Sequence, residues 1–128
     1  MRSVAALQAS QRVRFCRSAD GTRIAYAVHG QGPPLLLDAC WLSHLEYDWQ
    51  TPVWRHYLVE LGPVATVVRF DERGHGMSDR EVTDFTLERR IEDLEAVADD
   101  AGLDRFALIA MAQGGPVALH YAHRHPER

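Results

Sequence analysis

The segment Phe106-Ala-Leu-Ile-Ala-Met-Ala-Gln-Gly-Gly115 joins an apolar run to a helix-forming stretch through a very short turn. A strand–turn–helix of this kind lifts the residue at its tip clear of the backbone, which is the geometry of a nucleophile elbow. In the frame Ala110-Met111-Ala112-Gln113-Gly114 the tip is Ala112, and the small residues Ala110, Gly114 and Gly115 let the helix approach the strand. The chemistry such a tip performs is nucleophilic attack, with the backbone N–H of Gln113 as a donor to the developing oxyanion. Ala112 carries no oxygen, sulfur or carboxylate. Removal of a nucleophilic serine from a protease triad costs roughly six orders of magnitude in turnover, and a methyl group does not replace it.

A second chemistry-bearing stretch is Arg69-Phe-Asp-Glu-Arg-Gly-His-Gly-Met-Ser-Asp79, a strand end running into a glycine-punctuated loop. On physical grounds alone it is a turn of mixed charge, and His75 reads as structural. A third follows Leu35-Leu36-Leu37, where Asp38-Ala39-Cys40 forms the loop after a buried strand, at the strand end where ligands sit in parallel sheets. Ala39 is less permissive than glycine, and a carboxylate at Asp38 would repel an oxyanion if it faced the pocket. Ala39, Cys40 and Met111 are the expected pocket lining. Cys40 is read as a small buried apolar residue rather than a nucleophile. His120, His123 and His125 lie close in sequence but lack an acid or cysteine at ligand spacing, so no metal is expected. His44 and Glu46 share one loop, where proximity says little about acid–base pairing. Trp41, Trp49 and Trp54 are expected in the core or at the pocket mouth.

The elements that must position these residues follow from pattern. Arg14 to Arg17 and Arg23 to His29 read as strands joined by a turn ending in Asp20-Gly21, a hairpin signal. Leu35 to Leu37, Ala65 to Phe70 and Phe106 to Ala110 read as buried strands. One helix is expected from Thr51 as N-cap to Gly62, with Val53, Trp54, Tyr57, Leu58 and Leu61 on its inner face. Another runs from about Thr86 to Asp100 with Leu87, Ile91, Leu94 and Ala98 inward and Glu92 and Asp93 on a solvated face. A third covers Gly114 to His123. The order predicts an α/β fold, a mostly parallel sheet with helices on both faces, starting with a β-hairpin. Residues 1–13 are expected as a tail and 14–128 as one domain.

A net charge of -4 and the absence of a basic arm argue against nucleic acid as a partner. The two cysteines, Cys16 and Cys40, form no disulfide framework. No signal peptide or membrane span is visible, which gives a cytoplasmic expectation.

Taken together, the strand followed by Asp71, Arg73, Gly74, Gly76 and Ser78 in a D-x-R-G-x-G-x-S pattern, the stretch Asp93-Leu-Glu-Ala-Val, the elbow and the closing His125-Pro126-Glu127-Arg128 resemble the α/β-hydrolase family. The resemblance runs from about Arg14 to Arg128 and identifies the N-terminal part of that fold. It implies a nucleophile at the Ala112 position, commonly a His-Gly turn where Asp38-Ala39 stands, and an acid and a histidine following the elbow. Relatives that attack epoxides or halides carry aspartate as the nucleophile. Trp41 to Trp49 and Pro52 to His56 resemble hydrolase-type domains fused to LuxR-type regulators or nucleotide cyclases. Three functions are therefore open: a catalytically inactive domain that binds a small acyl or ester-like ligand, a truncated or mutated hydrolase, and a gene fragment. Alanine at the tip fits an engineered substrate trap or native loss, and the second altered loop favours native loss. No cofactor is implied. Phe106–Ala110 would be left as an apolar sheet edge, inviting self-association.

Overall fold

The computed structural model describes residues 4–38 and 43–127. Its elements are α1 (Val4–Ser10), β1 (Arg12–Arg17), β2 (Arg23–Gly30), β3 (Pro34–Asp38), a 3-10 turn (Tyr47–Gln50), α2 (Arg55–Leu61), β4 (Thr66–Phe70), α3 (Leu87–Asp100), β5 (Ala107–Ala110) and α4 (Gly114–Arg124). The segment read as a tail thus holds α1 and the start of β1. The five strands form one mixed sheet in the order β1-β2-β4-β3-β5. The hairpin pairs antiparallel and β2 continues antiparallel onto β4, whereas β3 pairs parallel with both β4 and β5. Parallel pairing is confined to the strands joined by helical crossovers, because those connections return the chain to the same end of the sheet.

Strand alternation divides the core between two faces. On one, Ile24, Tyr26, Leu36, Val68 and Phe70 pack against Ile91, Leu94, Val97 and Ala98 of α3 and Val117 and Tyr121 of α4. On the other, Ala25 and Ala27 meet Leu45, and Leu35 and Val67 meet Ala65 with Leu61 beside them. Thr86 caps α3 by accepting the Arg89 N–H, as Thr residues at this position do.

Two expectations about helices are corrected. The helix expected from Thr51 begins one turn later, at Arg55; Thr51 Oγ1 instead accepts the Trp54 N–H at 3.2 Å in the turn that precedes it. Its expected inner face is mostly not buried: Leu58 is, whereas Val53 and Tyr57 are exposed. A seven-residue helix presents too little length to seat a five-residue stripe. The strand read at Phe106 to Ala110 runs Ala107–Ala110 and is the sheet edge, as its expected loss of covering strands implied; the burial expected from its apolar run does not hold, with Ile109 40% exposed.

Candidate active site

Between the end of β5 and the start of α4 only Met111, Ala112 and Gln113 intervene. So sharp a reversal requires one residue in the left-handed region. Ala112 takes it, at φ 52°, and is the only non-glycine residue with positive φ among the described residues. Its methyl group is exposed at the tip. The turn is closed by Gly114 N–H donating to Met111 O (2.9 Å) and Gly115 N–H donating to Ala112 O (3.0 Å). The Gln113 N–H donates to no backbone carbonyl among the described residues. It therefore stays open at the N-terminus of α4, where the helix dipole favours negative charge.

The elbow is held from two sides. The Gln113 side chain donates from Nε2 to Glu72 Oε2 at 2.5 Å, and Arg90 Nη2 reaches both Glu72 Oε2 and Gln113 O at 3.4 Å. From below, Asp38 O accepts the half-buried Met111 N–H at 3.1 Å. The Asp38 carboxyl shares its face of the sheet with Leu36. It lies under the elbow among Phe70, Glu72, Arg90, Asp93 and Val117. Ala39 and Cys40, and Trp41 with them, lie outside the described residues.

The loop after β4 is more than a turn of mixed charge. Asp71 accepts the Met77 N–H (2.8 Å), the Leu45 N–H (3.2 Å) and the Ser43 hydroxyl (2.6 Å). A side chain at Gly76 would collide with that carboxylate, and Gly76 is at φ 51°. Ser78 Oγ donates to Asp71 O (2.6 Å) and accepts the Ala25 N–H (2.8 Å), tying the loop to β2. Arg73 makes a bidentate pair with Asp93 at 2.7 Å on both nitrogens. It also reaches Asp20 in the hairpin turn and Asp84 O. The Asp93 hydrogen bond raises the Arg73 guanidinium still further above its ordinary range. This corrects the expectation of a solvated face for Asp93, which is 2% exposed. Its burial was invisible to helical periodicity because its partner lies 20 residues away.

Arg69, in β4, was also missed. It is buried and pairs with Asp48 of the 3-10 turn at 3.0 Å, with Gln11 Oε1 and with Leu45 O. The only hint in the sequence was an arginine inside an apolar strand. His44 Nδ1 accepts the N–H groups of Glu46 and Tyr47, a local turn rather than an acid–base pair. His75 lies in the loop with Nδ1 3.0 Å from Arg73 O. His125 pairs with Glu95 at 2.9 Å while His120 and His123 are exposed, and no metal-holding cluster occurs among the described residues. Trp49 is in the core against His29, whose imidazole is pushed toward the neutral form by burial.

A family profile described as alpha/beta hydrolase fold matches residues 33–128. A cis-3-alkyl-4-alkyloxetan-2-one decarboxylase of Shewanella oneidensis is 30% identical over 119 residues, covering 90% of this chain and 36% of that protein. A soluble epoxide hydrolase of Corynebacterium sp. is 30% identical over 104 residues, covering 81% and 34%. Among solved structures, a hydrolase from Pseudomonas aeruginosa superposes with a TM-score of 0.78 at 28% identity, covering 91% of this chain and 43% of that one. The chain thus spans about a third of the length of the curated relatives it matches. No described helix is long and apolar enough to cross a membrane. With the sheet order, the elbow turn and the profile in agreement, this chain belongs to the alpha/beta hydrolase fold family.

Proposed function

We propose that this domain is catalytically inactive and uses the exposed tip of its elbow to bind a small acyl or ester-like ligand. The observation that carries this reading is Ala112: it holds the left-handed turn of a nucleophile and offers only a methyl group. Gln113 N–H supplies a hydrogen-bond donor at the same tip, so a carbonyl oxygen finds a partner there without being attacked. Met111 belongs to that tip in this reading, and Ala39 and Cys40, the other residues expected to line the ligand site, lie outside the described residues. The name of the Shewanella relative fits the ligand class, since an oxetan-2-one is a cyclic ester. The likeness of Trp41 to Trp49 to domains fused to LuxR-type regulators or nucleotide cyclases favours a sensor, in which occupancy is passed to a further segment of the polypeptide.

A second reading has one observation in its favour. A non-glycine residue in the left-handed region costs about 1–2 kcal/mol, and at Ala112 that strain serves no reaction. An active hydrolase that has lost its nucleophile would leave this trace. The test is Ala112→Ser and Ala112→Asp in the whole polypeptide, assayed on p-nitrophenyl acetate and styrene oxide, with calorimetric binding of a stable ester to the parent protein. The inactive-binder reading expects ester binding by the parent and turnover within about tenfold of background for both variants. Turnover rising about a thousandfold or more in either variant identifies a disabled hydrolase instead.

A further inference from the structure

Asp38 grips the elbow on both sides of Ala112. Its backbone oxygen accepts the Met111 N–H at 3.1 Å, on the strand side. Its carboxyl fills the space that a Cβ on Gly114 would need, with Cγ and Oδ1 each 2.9 Å from that position, on the helix side. The residue is 1% exposed, and neither carboxyl oxygen has a hydrogen-bond partner among the described residues. The charged groups facing it are Glu72 from the loop after β4 and Arg90 and Asp93 from α3; β4 contributes Phe70 and α4 contributes Val117. Arg90 is the single cation facing it among the described residues, and it is spent on Glu72 and Gln113 O at 3.4 Å. Asp93 is committed to Arg73. An ionised Asp38 would therefore be an unpaired buried charge beside two other carboxylates, an arrangement that drives a group to its neutral form.

We propose that Asp38 is a positioning residue that seats the elbow as a neutral, proton-bearing acid, so that the geometry around Ala112 is linked to one proton. Loss of that proton sets a negative charge against Glu72, the acceptor of the Gln113 side chain, and loosens the grip on the residue after the tip. Burial, reinforced by Glu72, pushes the Asp38 carboxyl up to about 8. The unfolded chain holds it at the ordinary value of about 3.9. The folded state thus binds one more proton across that interval. The stabilisation from Asp38 is complete below the unfolded value, declines as pH rises and is gone once pH passes the folded value. The inference stands whether or not the elbow binds an ester, because it concerns the seat of the turn and not its ligand.

The experiment is a carbon-13 NMR titration of aspartate carboxyls in the whole polypeptide from pH 4 to 10, with amide shifts of Met111, Gln113 and Gly114 followed in the same samples. The expected result is one carboxyl titrating near pH 8, with the three amides moving at the same midpoint. In Asp38→Asn both signals lose that transition. The unfolding constant of the parent rises with pH, approaching about tenfold per unit between about pH 5 and 7, and this slope falls by one proton in the variant. If Asp38→Asn does not fold, through-bond assignment of the Asp38 carboxyl in the parent decides alone. A carboxyl midpoint below about 5, or a titration that leaves the three amides still, overturns the proposal.

Discussion

Ala112 combines a residue type that disfavours the left-handed region with a position that demands it. The turn is imposed from outside: Asp38 anchors Met111, Glu72 and Arg90 anchor Gln113, and α4 packs Val117 and Tyr121 into the core. The native state therefore carries strain that glycine would not. Ala112→Gly is expected to raise stability by about 1 kcal/mol, read as a higher urea midpoint at unchanged slope. A loss of stability would mean that the methyl group packs in the turn. Gly114 makes the opposite case, since a side chain there meets the Asp38 carboxyl and carbonyl.

At the scale of elements, the loop after β4 is the joint between hairpin, sheet and α3. Asp71 and Ser78 fasten it to Leu45 and β2, and Arg73 bridges the hairpin turn to α3. Asp93→Ala removes the main partner of a buried guanidinium and is expected to cost about 3 kcal/mol, measured by denaturant unfolding. A cost below about 1 kcal/mol would show that Asp20 and Asp84 O suffice to hold Arg73. Gly76→Ala strains the same joint in a different way, through a positive φ and a collision with Asp71. It is expected to lose at least about 2 kcal/mol, checked by the same melts. The pattern D-x-R-G-x-G-x-S thus acts here as framework. It places Glu72 against Gln113, and so the loop serves the elbow without lining it.

On the scale of the sheet formed by the described residues, β5 is the edge strand beside β3. Ile109 is half-exposed there, and Leu119 of α4 is 73% exposed. Neither lysine nor proline interrupts Ala107–Ala110, the usual protection of an edge. We expect residues 1–128 expressed alone to self-associate by pairing two β5 edges. Sedimentation should show a dimer or larger at tens of micromolar, and Ile109→Lys should shift it to monomer. A parent chain that sediments as a monomer at that concentration would count against the edge as an interface.

The sequence by itself determined the hairpin, the order of elements from β1 onward, the elbow frame and the Ile91, Leu94 and Ala98 part of the α3 stripe, because each rests on residues within a few positions of one another; it did not show helix α1, and Leu87, expected inward, is exposed. Periodicity and turn chemistry are local, and local propensity was not overruled at these places. It also determined that the tip of the elbow lacks a nucleophile, a matter of residue type alone. Tertiary structure decided what depends on distant partners. Asp93 looked solvated until Arg73 reached it, and Arg69 looked out of place until Asp48 and Gln11 met it. Asp38 looked like a hazard to the pocket, and the sheet instead turned it beneath the elbow, against Gly114. Burial and pairing of charge are set by which elements the fold brings together, and no spacing along the chain encodes that meeting.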